Sequence, residues 1–103
     1  MVKVSVFYPN RKDARFDLEY YCNHHIPMVQ RLVGSDLKGV SVDHGLSSEE
    51  PGASAPYVAI GHLLFDSVAD FQRSFGPHAP EIMADIPKYT NLEPIIQISE
   101  VAL

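Results

Sequence analysis

The run Tyr57-Val58-Ala59-Ile60-Gly61-His62-Leu63-Leu64-Phe65 carries apolar residues on both parities, with His62 the one plainly polar side chain. No other stretch constrains the fold as much, because near-continuous hydrophobicity over a strand length means burial on both faces, the mark of a central strand. Three more runs read as strands. Val2-Lys3-Val4-Ser5-Val6-Phe7-Tyr8 is β-branched and aromatic, and Pro9-Asn10 closes it. Residues 37 to 46 place Val40, Val42, His44 and Leu46 on one face and Ser41 and Asp43 on the other. Ile95 to Val101 forms the last. Between the second and third strands, residues 47 to 56 make a polar loop too long for a two-residue hairpin turn. Symmetrical pairing about that loop sets His62 opposite Ser41 and leaves His44 on the other face.

Helical spacing appears twice. After Asp17, which suits an N-cap, apolar or small residues fall at 18, 21, 22, 25, 29, 32 and 33 before Gly34, predicting a helix of about four turns. Pro27 interrupts it: the ring excludes the Asn23 carbonyl and the missing N–H removes a hydrogen bond, a defect of about 3 kcal/mol in a regular helix. Ile26, preceding the proline, is also pushed from helical angles. A kink or short break over His25-Ile26-Pro27 is therefore expected, with Tyr21 and His25 one turn apart on the inward face. Ser67 and Asp70 read as caps of a second, short helix through Phe71 and Phe75, ended by Gly76-Pro77. Prolines 80 and 87 allow only a brief helical piece near Glu81 to Asp85.

The resulting order, β-α-β-β-α-β in one domain spanning 1–103, is the ferredoxin-like arrangement of a four-stranded antiparallel sheet with helices on one face. Valine and isoleucine on both parities of most strands leave more apolar surface than two short helices cover, so a homodimer joined sheet to sheet is expected. A formal net charge of −5 disfavours nucleic acid and anionic lipid as partners. Without a signal segment or membrane-length run, the expected location is the cytoplasm. Cys22, the lone cysteine, falls among the apolar helix positions and reads as a small buried hydrophobe.

Tyr8-Pro9-Asn10, Arg15-Phe16-Asp17-Leu18-Glu19-Tyr20-Tyr21 and His25-Ile26-Pro27 occur in series with Gly39-Val40-Ser41-Val42 and Pro56-Tyr57-Val58-Ala59. Gly61-His62-Leu63-Leu64-Phe65-Asp66-Ser67 and Phe75-Gly76-Pro77-His78 complete the series. Together they resemble the EthD family, named for ethyl tert-butyl ether degradation, within the dimeric α/β-barrel superfamily. The resemblance covers nearly the whole chain. It implies a ferredoxin-like protomer whose sheet pairs with a second copy as a dimeric α/β barrel, and a role in small-molecule degradation under a reductase or oxidoreductase label. Relatives in the wider superfamily cyclise polyketides, decarboxylate or carry out cofactor-free oxygenation.

Among individual residues His25 is the candidate catalytic group, since imidazole titrates near neutrality and the His-x-Pro spacing of the family selects it over His24. A histidine hydrogen-bonded for structure near Pro27 is the alternative. Tyr21, Tyr57 and His62 are candidate substrate-binding residues at the polar end of an apolar pocket, His62 needing a partner among its hydrophobic neighbours. Tyr21 reads equally as a core aromatic. Histidine and cysteine spacing gives no metal pattern, and neither a dinucleotide nor a phosphate-binding glycine motif occurs, so no cofactor is expected. Two functions stand side by side: a cofactor-independent acid–base enzyme or oxidoreductase acting on a small hydrophobic or aromatic substrate, and a non-catalytic binding protein that assists a partner oxygenase.

Overall fold

The computed structural model describes residues 1–103. Strand β1 is Val2–Pro9, β2 Gly39–His44, β3 Tyr57–Phe65 and β4 Ile95–Glu100. They form one antiparallel sheet in the order β2-β3-β1-β4, so β3 is central, as its hydrophobicity requires. The long first helix consists of α1 (Leu18–Tyr20), a π-helical turn (Tyr21–His25) and α2 (Ile26–Val33) without interruption. Helices α3 (Val68–Phe75) and α4 (Ala79–Ala84) follow β3, joined and followed by short 3₁₀ turns. This is the ferredoxin-like α+β fold, and no helix is long and apolar enough to cross a membrane.

Pairing of β2 with β3 sets Ser41 against His62 and His44 against Ala59, the register that symmetry about the intervening loop predicts. Val4, Leu63 and Phe65 point toward the helices and pack with Val29, Val33 and Ile82 in one buried cluster. Tyr8, Tyr21, Ala59, Tyr89 and Leu92 make a second, largely aromatic one. Asp17 and Ser67 cap their helices, accepting from the backbone N–H groups of Tyr20 and Asp70 at 3.0 and 3.1 Å. Gly34 ends the first helix with φ 78°, a conformation that favours glycine.

Two local expectations are corrected. The first helix does not break at His25-Ile26-Pro27: His25 (φ −68°, ψ −54°) and Ile26 (φ −62°, ψ −45°) are both helical. Instead the Ile26 N–H reaches back five residues to the Tyr21 carbonyl, closing a π turn, and Pro27 sits in the first turn of α2. There its missing N–H costs little, so widening the preceding turn substitutes for a kink. Cys22 is exposed rather than buried. The inward stripe of the helix is Tyr21, His25, Val29 and Val33, a spacing of four that the π turn helps keep in line, and residue 22 falls beside it toward solvent.

The chain from Ile86 to Pro94 is strapped onto the segment before α1. Phe16 bridges Thr90, the Asp17 N–H donates to the Tyr89 carbonyl (2.7 Å), and Thr90 Oγ1 donates to the Arg15 carbonyl (2.6 Å). These bonds seat Tyr89 beneath the first helix, against Tyr21 and His25.

Candidate functional site

Because His25 lies on the buried stripe, the residue is only 4 % exposed and its imidazole must be partnered. Asp85, 8 % exposed and just past α4, provides the partner: its Oδ2 lies 2.9 Å from His25 Nδ1. The other carboxylate oxygen accepts from the Tyr20 hydroxyl (2.9 Å), and Lys88 Nζ stands 3.6 Å away. Burial would raise the pKa of Asp85, but the hydrogen bonds from His25 and Tyr20 outweigh it and hold the carboxyl below its usual range. For His25 desolvation dominates: it lowers the imidazole pKa from the usual 6.5 despite the opposing pull of Asp85. The pair is therefore a carboxylate beside a neutral imidazole. An ionised carboxylate only accepts, so Nδ1 carries the proton and Nε2 the lone pair. Nε2 has no partner within the chain, yet no sealed side-chain polar atom is left unpaired, so Nε2 opens onto a cavity.

That cavity lies between the sheet and the helices, with His25, Tyr21, Tyr8 and Gly61 at one end. Its other walls include Leu63, Ile82, Ile86 and Ile96, and it contains no Lys, Arg, Asp or Glu. Its volume is about 40 Å³, room for a few waters or a fragment of similar size. Met83 and Ile96, 44 % and 47 % exposed, also line it and reach the surface.

Three phenols gather at the polar end. The Tyr8 and Tyr89 hydroxyls are 2.6 Å apart, and the Tyr21 ring packs edge-on against that of Tyr8 with centroids 5.5 Å apart. The Tyr21 ring stacks on His25 with centroids 5.5 Å apart and planes 15° from parallel. Gly61 makes this position possible, since a Cβ there would stand 2.2 Å from Tyr21 Oη. Burial raises the pKa of all three tyrosines, so they remain neutral hydrogen-bond donors.

Of the residues singled out in the sequence, His25 and Tyr21 come together here, and Tyr57 and His62 do not. Tyr57 packs on Phe7 (ring centroids 5.2 Å) and His62 lies in register with Ser5 and Ser41, both on the sheet face away from the helices. His62 finds its partners on neighbouring strands rather than in a polar cavity. Ser5 Oγ donates to Nδ1 (3.0 Å), and Nε2–H donates to Asp43 Oδ2 (3.0 Å). His24 is exposed, its ring beside Tyr20. The sequence reading missed Asp85, Tyr8 and Tyr89. Asp85 and Tyr89 lie in the long final connection, whose path no periodicity sets. Tyr8, however, falls on the same parity as Val4 and Val6, and that parity marks it as inward-facing.

A family description, the EthD domain, matches residues 12–93. An EthD-like protein from Ralstonia eutropha JMP134 is 40% identical in sequence and superposes with a TM-score of 0.95, covering 99% of this chain and 92% of that one. An ethyl tert-butyl ether degradation family protein from Bacillus halodurans C-125 has a TM-score of 0.66 at 17% identity, covering 97% of each chain. A protein from Bacteroides fragilis NCTC 9343, described as dimeric, of unknown function and ferredoxin-like in fold, has a TM-score of 0.50 at 14% identity, covering 96% and 94%. Among curated proteins none matches the sequence.

Proposed function

The chain belongs to the EthD family, and from that premise we propose that it is a proton-transfer catalyst. In this reading His25 Nε2 is the general base, Asp85 is the residue that positions it, and the substrate is small, hydrophobic and uncharged. Acid–base chemistry is among the activities the family resemblance implies, and His25 with Asp85 can carry it. The supporting observation is the buried His25–Asp85 pair at 2.9 Å, which fixes the imidazole tautomer so that the lone pair faces the cavity. A wall without charged side chains supports an uncharged substrate, because a buried carboxylate or ammonium would have no counter-ion there.

Histidine ¹⁵N NMR tests the assignment. At neutral pH the His25 ring should carry its proton on Nδ1, and adding butanone as an uncharged probe should shift the Nε2 resonance. Asp85→Asn should weaken that tautomer preference, a readout that loss of packing alone would not move. A proton found on Nε2, or a ring resonance that no uncharged probe displaces, refutes the assignment.

The same proposal includes a homodimer. Phe7, Tyr57, Ile60, Leu64 and Ile95 lie on the sheet face that no helix covers, and Tyr57 and Ile95 are 36 % and 55 % exposed. The Bacteroides fragilis relative, described as dimeric, supports the same assembly. Sedimentation at micromolar concentration should give the dimer mass, and a clean monomer would remove this part of the proposal.

A further inference from the structure

The tyrosine cluster has a proton to spare. The Tyr8 and Tyr89 hydroxyls bond to each other at 2.6 Å, whereas the Tyr21 hydroxyl makes no hydrogen bond within the chain. No sealed side-chain polar atom is left unpaired, so the Tyr21 O–H is open to its surroundings. Tyr21 lines the cavity with its ring stacked on the His25 imidazole, so that space is where its unpaired O–H can donate. A base and a neutral O–H donor thus share the polar end of an otherwise apolar space.

We propose that Tyr21 is the oxyanion donor for an uncharged carbonyl substrate, from which His25 removes a proton on the carbon next to the carbonyl. This rests on the reading of His25 as a base. In the step the C–H bond breaks and its proton goes to Nε2, while the electron pair moves to form a C=C bond and an enolate oxygen. The Tyr21 O–H donates to that oxygen. Return of a proton from Nε2 to carbon completes an exchange or an isomerisation with no other reactant. The phenol acts differentially, because an enolate oxygen accepts a hydrogen bond far more strongly than the starting carbonyl does. The imidazolium formed in the step lies against the Asp85 carboxylate, so the new positive charge is matched within the wall. An apolar wall without cations excludes acids such as 2-oxo carboxylates, and a volume of about 40 Å³ selects few heavy atoms unless Met83 and Ile96 move aside.

The test is hydrogen–deuterium exchange at the α-carbon, followed by ¹H NMR in D₂O with purified protein. Butanone is the uncharged probe and pyruvate the anionic probe of similar size. The wild type should accelerate exchange of butanone over buffer and leave pyruvate at the buffer rate. Tyr21→Phe should slow the butanone reaction by roughly 10²- to 10³-fold, the effect of losing one oxyanion donor. His25→Ala should abolish the acceleration, while His24→Ala should retain it. Gly61→Ala, which pushes the hydroxyl back without removing it, is the second variant should Tyr21→Phe not fold, and a loss of about 10²-fold is expected. Exchange lost in His25→Ala but intact in Tyr21→Phe or Gly61→Ala overturns the Tyr21 assignment and leaves the base reading standing. Exchange that survives His25→Ala overturns both. No acceleration by the wild type, or a pyruvate rate as high as that of butanone, overturns the substrate class, while the tautomer measurement still judges His25 separately.

Discussion

Gly61 and Tyr21 can be tested as a pair without knowing any substrate. A Cβ at Gly61 would lie 2.2 Å from Tyr21 Oη but 3.3 Å from the ring carbon that bears it. Restoring ordinary contact means moving the hydroxyl by roughly 1 Å. Tyr21 is 2 % exposed and packs against Tyr8, Phe16, His25 and Tyr89, so the movement forces neighbours aside and should cost about 1–3 kcal/mol as overpacking. In a Tyr21→Phe background the offending oxygen is absent, and a contact of 3.3 Å yields with small adjustments. Gly61→Ala should then cost under about 1 kcal/mol, and the added backbone stiffness of alanine is common to both backgrounds and cancels. The four proteins form a double-mutant cycle, read by urea unfolding with equal slopes as the check on two-state behaviour. A coupling of about 1–2 kcal/mol is expected, within the range for residues in contact. Additive effects would show that Tyr21 Oη does not rest on the sheet at Gly61.

Two further perturbations follow from the site. Because the folded state depresses the pKa of His25 below 6.5, the unfolded chain binds more protons on acidification, so stability should be full above 6.5 and fall as pH drops toward the folded value. Asp85, depressed below 3.8, extends the loss to lower pH; a His25→Ala protein should lack the first slope, measured by urea unfolding between neutrality and pH 5. Pro27→Ala restores an N–H that can bond to the Asn23 carbonyl, so the π turn should relax to α-helix and turn His25 off the Tyr21 ring, with stability little changed because the proline already sits in the first turn of α2. A crystal structure of that variant retaining the stacked rings would show that packing, not the proline, makes the π turn.

The parts of the fold set by periodicity were legible in the sequence, and those set by long-range contact were not. The two-sided run at Tyr57 to Phe65 gave the central strand with its bounds, and the loop lengths gave the β2–β3 register. His25 and Tyr21 emerged from spacing along one helix. Asp85 did not, because it reaches His25 across 60 residues, and nothing local distinguishes it from Asp66 or Asp70. That Tyr57 and His62 lie on the opposite sheet face from His25 was not legible either. A polar or aromatic residue among hydrophobes signals that a partner is needed but not on which face of the sheet it lies. Proline 27 was read correctly as a defect, yet the chain absorbed it by inserting a residue into the preceding turn, a remedy that strict 3.6-residue periodicity does not contain.

Stability alone does not account for the His25–Asp85 pair. Both side chains are nearly withdrawn from water, 5% and 9% exposed, so each carries a desolvation cost that their single hydrogen bond and the contact with Tyr20 must offset. Beside them the apolar cluster of Val29, Val33, Leu63 and Ile82 shows that this layer can be filled by hydrocarbon. Replacing the pair together, His25→Leu with Asp85→Leu, should therefore leave the fold as stable or stabilise it by about 1–4 kcal/mol, as apolar substitutes for buried ion pairs do. Removing one partner, Asp85→Ala, should instead destabilise, by up to about 3–5 kcal/mol for a fully buried charged pair and less here because the imidazole is neutral. Denaturation of the three proteins decides the matter. A double variant that unfolds as readily as the single would mean the pair is needed to hold the first helix on the strap from Ile86 to Pro94. Equal stability would mean that the pair adds nothing net to the fold, and greater stability that a less stable arrangement is kept in place for its chemistry, beside a π turn and a glycine opposite a buried hydroxyl.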